Sequence, residues 1–260
     1  MRRTWSFSDL EFMVLWQDRY HEFLPPPLLF TGRAKLRSEH LRLMAEAREG
    51  LRDLDPDVPD LLNAVRTADI RIEVRGWDGR DPLTPEARIR VLGARRGDIG
   101  YLVTQHPGET HLLSSGFTVA EFPAQELAEE VVAALPDTEA GRSRDIVLTQ
   151  RENVEEVDYS FDLSPAHERY EGTVVDRAAE FLAAPAASVG SIEVIQGHSV
   201  FGPRGITHHE VEWRDLVDDG RYLVLDENPP LAVAADRRRM IAAIDSRIAE
   251  VIFALDDERV

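Results

Sequence analysis

Residues 207–226, THHEVEWRDLVDDGRYLVLD, decide how this chain is expected to fold. Val211 and Trp213 alternate with polar residues before a polar turn at residues 218–220, and a short apolar run follows the turn, which predicts two antiparallel strands joined as a hairpin. An earlier stretch, residues 86–105 (EARIRVLGARRGDIGYLVTQ), has the same layout, with GDIGYLVTQ in the place of DDGRYLVLD. This internal repeat predicts two related halves, each of which contributes a β-meander.

The remaining segments predict the same order of elements in both halves: a helix, three or four antiparallel strands, and a second helix. The short connections between the strands favour antiparallel meanders over parallel crossovers. The polar segment 136–145 is the expected boundary, so the halves are predicted at residues 1–140 and 141–260, packed as one globular unit. The predicted fold class is α+β with a central antiparallel β-sheet.

Local signals place some of the element boundaries. Ser8 and Glu11 have the spacing of a capping box at the start of a first helix, and Asp236 is the expected N-cap of the last helix. Residues 111–115 are the expected fourth strand of the first meander. The Phe-Pro pair at residues 122–123 is expected to open a helix, because proline is well tolerated in a first helical turn.

Composition limits the classes of function. The 260 residues carry a net charge of −18, which argues against nucleic acid as a partner, because such proteins neutralise phosphates with basic side chains. The chain has no cysteine, so it has no disulfide framework, thiolate metal site or cysteine nucleophile. Its apolar runs are too short to span a bilayer, and its first residues do not resemble a secretory signal. The expectation is a cytoplasmic protein without membrane insertion.

The segment HHEVE, residues 208–212, is the one cluster with the composition of a metal site. On a strand, His208, Glu210 and Glu212 point to one face and His209 to the other. Side chains two residues apart on a strand are separated by about 7 Å, too far to converge on zinc without another element. A solvated strand face is therefore favoured. A metal-dependent hydrolase using His208, His209 and Glu210 stays open as an alternative, as does a structural or adaptor protein.

The turn GARRG at residues 93–97 has two arginines between glycines, which is typical of a charged hairpin tip and, more weakly, of an anion site. The sequence contains no GxSxG, P-loop, HExxH or GxGxxG motif. Acidic residues are too numerous for one pair to stand out as a general acid and base. A binding protein that is not an enzyme, without cofactor or metal, is the better prediction.

Five segments resemble the EspG family, the cytosolic chaperones of actinobacterial type VII (ESX) secretion. They are the first helix around residues 10–16, EVRGWDG at 73–79, GYLV at 100–103, GFTVAEFPAQELAEEVVAALP at 116–136, and WRDLVDDGRYLV at 213–224. The last of these carries most of the resemblance. In total the similarity extends over nearly the whole chain.

The resemblance implies a central antiparallel sheet flanked by two helical bundles with quasi-two-fold symmetry. It also implies that the chain binds the hydrophobic tip of a PPE protein in a PE–PPE heterodimer, keeps it soluble, and delivers it to the secretion machinery. The unbound chain is expected to be a monomer or a weak homodimer. In the family the binding surface comprises the sheet, a loop between strands and the C-terminal helical bundle. The residues expected at that surface here are Arg95, Arg96, Gly97 and Asp98 at the rim, and His208, Glu210, Glu212, Arg214 and Tyr222 on the floor.

Overall fold

The computed structural model of the protein describes residues 2–148 and 165–258, with side chains in the second range from residue 174 onward. These residues form ten strands and six α-helices. The strands are β1 (Arg3–Phe7), β2 (Ile70–Trp77), β3 (Ile89–Arg96), β4 (Ile99–Pro107), β5 (Ser114–Pro123), β6 (Ile146–Val147), β7 (Ala186–Gln196), β8 (His208–Leu216), β9 (Arg221–Leu225) and β10 (Leu231–Ala234). The helices are α1 (Asp9–Tyr20), α2 (Arg37–Gly50), α3 (Val58–Arg66), α4 (Leu127–Ala133), α5 (Pro165–Ala183) and α6 (Arg237–Asp257).

The ten described strands form one sheet in the order β1-β5-β4-β3-β2-β7-β8-β9-β10-β6, and all neighbouring strands in it are antiparallel. β2 and β7 form the central pair. From this pair the strands follow chain order outward, β2 to β5 on one side and β7 to β10 on the other. β1 and β6 each precede one of these runs in the chain and pair with its last strand. The predicted α+β class with a large antiparallel sheet is confirmed.

The helices cover the two faces of the sheet unequally. On one face, α4 and α6 pack against the apolar residues of the central strands through side chains such as Leu127 and Ile244. On the opposite face, α1 and α3 cover the strands on the β1 side, where Phe12 and Leu62 pack against Leu92 of β3. α2 packs on α1 and not on the sheet. α5 covers the far side of this second face, where Phe181 packs against β9 and β10.

The predicted hairpin and helix caps are present. β8 and β9 pair antiparallel with Trp213 opposite Leu223, which confirms the interpretation of residues 207–226. Ser8 and Glu11 make both hydrogen bonds of the capping box, and the Asp236 carboxylate accepts a hydrogen bond from the backbone N–H of Arg239 at 2.7 Å. These features depend on residues close in sequence, so the local pattern was sufficient to predict them.

Two sequence-based boundaries were wrong. The strand expected at 111–115 is the much longer β5, which runs through Pro123, so the Phe-Pro pair ends a strand and does not open a helix. A short 3₁₀ turn, Ala124–Glu126, follows, and α4 begins only at Leu127. β1 was not predicted at all. Both errors have one cause: β5 pairs with β4 on one side and with β1 on the other, and this long-range pairing overrides the local helix signal.

Candidate partner-binding surface

Among the elements that the structure describes, no helix covers the centre of one face of the sheet, between the α1–α3 group and α5. Glu73 of β2, Glu193 of β7 and Glu210 of β8 lie directly beside one another across these three strands. His208 and Glu212 flank Glu210 on the same face, because residues two apart on a strand point to the same side. We call these five residues, Glu73, Glu193, His208, Glu210 and Glu212, the central strip. Along β8 the alternation of exposed and buried side chains is as predicted.

The carboxylates of the central strip are only partly compensated by basic groups. Arg75 of β2 donates a hydrogen bond to Glu73 at 2.6 Å and contacts Glu193 with its other terminal nitrogen. Nε2 of His208 lies 3.1 Å from Oε2 of Glu193. Glu210 and Glu212 form no ion pair with any residue that the structure describes. The β8 side of the strip is therefore electronegative.

Burial raises the pKa of the Glu212 carboxyl above its ordinary value, and the neighbouring Glu210 raises it further, while Arg214 opposes the shift. Both raising effects disfavour the charged form: burial removes water from the carboxylate, and a like charge repels it. The β8 edge of the strip thus holds a carboxylate that forms no ion pair with the residues that the structure describes. The charged form of such a carboxylate is stabilised when a partner supplies a hydrogen-bond donor or a positive charge.

Arg214 and Tyr222 mark the edge of the strip toward α5. The Arg214 guanidinium donates hydrogen bonds to the carbonyls of Leu182 and Ala184, each at 3.2 Å. The central carbon of the guanidinium, Cζ, lies 5.7 Å from the centre of the Phe181 ring. Arg214 is half-buried and holds the C-terminal end of α5 against β8. One side of its guanidinium is therefore already used within the chain.

The prediction that Tyr222 points outward was wrong. Its side chain is fully buried, with the ring edge-on to Phe181 at a centroid distance of 5.3 Å. Its hydroxyl donates to Asp219 at 2.6 Å and accepts from the backbone N–H of Ser143 at 2.9 Å. Alternation along β9 assigns Tyr222 to the correct face of the sheet, but only the position of α5 decides that this face is covered there.

The turn at Arg95–Asp98 lies at the end of the β3–β4 hairpin, with Arg96, Gly97 and Asp98 exposed. The Arg96 guanidinium contacts the carbonyl of Thr67 and lies 3.7 Å from an oxygen of Asp69. The turn is at the same end of the sheet as His208, but β2 and β7 lie between the two strands. Three strand spacings put the turn roughly 14 Å from His208, so it flanks the central strip without joining it.

The geometry gives no support to the hydrolase alternative. His208 and His209 lie on opposite faces of β8, and Nε2 of His209 lies 3.2 Å from Oε2 of Glu250 on α6. The sheet itself separates the two imidazoles, so His208, His209 and Glu210 have no common point to which they converge. Within residues 2–148 and 174–258, whose side chains the structure describes, there is no group of three or more histidine, cysteine or acidic side chains that could hold a metal ion.

Residues 197–205 were expected to form a loop, and the loop between β7 and β8 comprises residues 197–207, but no functional role was predicted for it. It exposes two large apolar side chains, Val200 at 69% and Phe201 at 74%. The signal was present in the sequence as an apolar pair inside a segment rich in glycine and other turn residues, but nothing local shows whether such a pair folds inward.

In the part of the chain that the structure describes, no helix combines the length and the apolar character needed to cross a membrane.

Comparison with known proteins now identifies the class. The EspG family profile matches residues 8–246, which is most of the chain, so the chain belongs to the EspG family and the resemblance drawn from the sequence is confirmed. Among solved structures, the chain is similar to one described as the Mycobacterium tuberculosis type VII secretion system chaperone EspG5 in complex with the PE25–PPE41 dimer. The TM-score is 0.56 at 12% sequence identity, with 95% of this chain and 96% of the other covered, so this likeness is one of fold. No curated protein matches the sequence.

Proposed function

We propose that this chain is a non-enzymatic chaperone of type VII secretion that binds the hydrophobic tip of a PPE protein within a PE–PPE heterodimer. The observation that carries the proposal is the family match over residues 8–246. The similar fold of the structure that contains EspG5 with PE25–PPE41 supports it. In this role the chain works in the cytoplasm, keeps the PE–PPE dimer soluble and hands it to the secretion machinery.

The physical reason for such a chaperone is the cost of exposed apolar surface. An apolar tip of a few hundred Å² left in water is an aggregation hazard, and a partner that covers it removes that hazard. An interface of this kind needs a core that excludes water and a polar rim that sets orientation. We assign the rim to the Arg95–Asp98 turn, and the floor to the outward side chains of β8, which are His208, Glu210, Glu212 and Arg214.

The two-half organisation belongs to the same proposal. The strand order, which repeats outward from the β2–β7 pair, supports a division near residues 140 and 141. Two meanders that meet at their first strands make one broad sheet. A broad sheet leaves a central surface that neither helix group covers, and this is the surface to which we assign the partner.

Co-expression with PE–PPE pairs from the same genome tests the proposal. The expected result is a soluble ternary complex of 1:1:1 stoichiometry that elutes as one species in gel filtration, while the pair expressed alone aggregates. Light scattering of the unbound chain should report a monomer or a weak homodimer. If every pair stays insoluble, or elutes apart from the chain, the proposed function is wrong.

A further inference from the structure

The β7–β8 loop, residues 197–207, presents two apolar side chains to solvent from an ordered framework. Val200 and Phe201 are 69% and 74% exposed, although exposing a large apolar side chain has a free-energy cost. They are neighbours in sequence at the tip of the loop. The loop joins the two strands that carry Glu193 and Glu210, so the apolar pair is at one end of the central strip.

The carboxylate of Glu258, at the C-terminal end of α6, holds this loop in place. One of its oxygens accepts hydrogen bonds from the hydroxyl of Ser199 at 2.7 Å and from the side-chain amide of Gln196 at 2.8 Å. Its other oxygen accepts one from the backbone N–H of Val200 at 2.9 Å. These bonds lower the pKa of Glu258, with the Ser199 bond the largest cause. A single ionised side chain thus fixes two residues of the loop, Ser199 and Val200, to the end of β7.

Further hydrogen bonds complete the framework. The fully buried amide of Gln196 also donates to the carbonyl of His198 at 2.9 Å, and its oxygen accepts from the N–H of Thr207 at 3.0 Å. The N–H of Gly202 donates to the carbonyl of Ser199 at 3.0 Å and closes a turn around the apolar pair. Gly202 has φ +74°, a conformation that glycine adopts without strain. The loop is therefore held in one conformation before any partner arrives.

We infer that Val200 and Phe201 are the apolar anchor of the partner-binding surface, and that Glu258 is the positioning residue that presents them. This inference rests on the proposed function and adds to it the residues that make the apolar contact with the partner. The occupant is the apolar tip of the PPE protein, since two aliphatic or aromatic side chains in water recognise apolar surface and not charge. A loop ordered beforehand loses little conformational entropy on binding, which strengthens the anchor. The loop connects β7 to β8 at the His208 end of the central strip, so the anchor lies beside that end of the proposed surface.

A third exposed apolar side chain, Phe253, lies near the C-terminal end of α6. It is 75% exposed and stands five residues before Glu258, about 7.5 Å along the helix axis from it. Because α6 packs on the face of the sheet opposite the central strip, Phe253 is at the same end of the protein as the loop but is not part of the anchor. Phe23 lies in the connection between α1 and α2, is 98% exposed, and serves as a matched control.

The first test compares the double variant V200S/F201S with F23S. Each removes exposed apolar side chains, so both should keep the melting temperature of the unaltered chain. Binding is measured by titration calorimetry with a PE–PPE heterodimer that forms a complex with the unaltered chain. We expect V200S/F201S to weaken binding about tenfold to hundredfold, the range of a central aromatic contact, and F23S to leave it unchanged. Equal binding by V200S/F201S and the unaltered chain would overturn the inference.

The second test addresses Glu258 through E258A and E258Q. Hydrogen exchange of the Val200 and Phe201 amides should become faster in E258A, with slower core amides unchanged, and binding should weaken without a loss of fold. E258Q keeps one good acceptor and should fall between E258A and the unaltered chain. If E258A releases the loop amides and binding stays the same, Glu258 has no positioning role.

The failures of the two proposals can be told apart. If no PE–PPE pair binds the unaltered chain, the proposed function fails and this inference fails with it. If a pair binds the unaltered chain and V200S/F201S with the same affinity, only the anchor assignment fails. If V200S/F201S instead abolishes a homodimer of the free chain and leaves PE–PPE binding intact, the loop contacts a second copy and the assigned occupant is wrong.

Discussion

Arg221 and Asp215 face each other across β9 and β8 and form a buried ion pair with two hydrogen bonds, at 2.6 and 2.7 Å. Their side chains are only 3% and 4% exposed. The same guanidinium donates to the carbonyl of Pro136 at 2.8 Å, and the backbone N–H of Arg221 donates to the carbonyl of Glu139 at 2.7 Å. Arg221 therefore attaches the segment proposed as the boundary between the halves to the hairpin that identifies the second half.

Removing one member of this pair should be costly. Arg221→Met leaves the Asp215 carboxylate buried without its partner, and we expect a loss of about 3–5 kcal/mol in the free energy of unfolding. Urea denaturation followed by circular dichroism measures it. Arg48→Met is the matched control, because the Arg48–Asp18 pair has the same hydrogen-bonded geometry with both side chains 45% exposed. The control should lose about 0–1 kcal/mol.

A double substitution separates the two contributions to that loss. In Arg221→Met combined with Asp215→Leu, no charge is left buried, so most of the lost stability should return. If the double variant is as unstable as Arg221→Met alone, the hydrogen bonds to residues 136–141 carry the stability and the ion pair does not.

Trp213 packs over two glycines, Gly190 of the neighbouring strand β7 and Gly76 of β2, so these positions should reject any side chain. Gly190 is opposite Trp213 on β7, and a Cβ there would come within 2.2 Å of the indole and 2.1 Å of the carbonyl oxygen of Arg75. Gly190→Ala should cost about 1–3 kcal/mol, the usual range for overpacking a core, and thermal unfolding measures it. Gly32→Ala, where the nearest atom is 3.8 Å away, should change stability by no more than about 0.5 kcal/mol.

Charge reversal on the central strip tests the proposed floor. Glu210→Arg puts a long basic side chain on an exposed part of the sheet, so we expect the affinity for a PE–PPE heterodimer to fall at least about tenfold. Stability should be kept or slightly raised, because Glu210 lies directly opposite Glu193 and like charges in that position repel. Glu39→Arg on α2 makes the same change of charge on an exposed helix and should leave affinity unchanged. An equal loss for both variants would point to overall charge and not to the strip.

Glu212 and Glu258 should give opposite dependences of stability on pH. The pKa of Glu212 is raised above 4.5, so the folded state holds the proton more tightly, and stability falls as pH rises from 4.5 through the raised pKa. The pKa of Glu258 is lowered below 4.5, so its contribution is present above that value and is lost as pH falls through the lowered pKa. Relative to the unaltered chain, E212Q should become more stable as pH rises, whereas E258Q should become less stable. Urea unfolding at a series of pH values measures both, and slopes of the same sign would contradict the assigned environments.

The hairpin and the helix caps could be predicted because their determinants are close in sequence. The alternation around Trp213 specifies a strand, and the spacing of Ser8 and Glu11 specifies a helix start, whatever the rest of the chain does. The same reasoning failed at residues 116–123, because β5 is stabilised by β1 and β4, which lie far away in sequence. The metal hypothesis also arose from neighbours in sequence, and the two faces of one strand separate His208 from His209.

The amino-acid sequence by itself determined the family, the antiparallel meanders and the faces to which the residues of β8 point, because periodicity and short-range hydrogen bonding are local properties. The tertiary structure alone decided which of those faces are covered. α5 buries Tyr222, the gap between the helix groups exposes Glu210, and the Glu258 carboxylate holds Val200 and Phe201 in solvent. Exposure is a property of packed elements distant in sequence. For that reason residues 207–226 predict the sheet but not the surface that the chain offers to a partner.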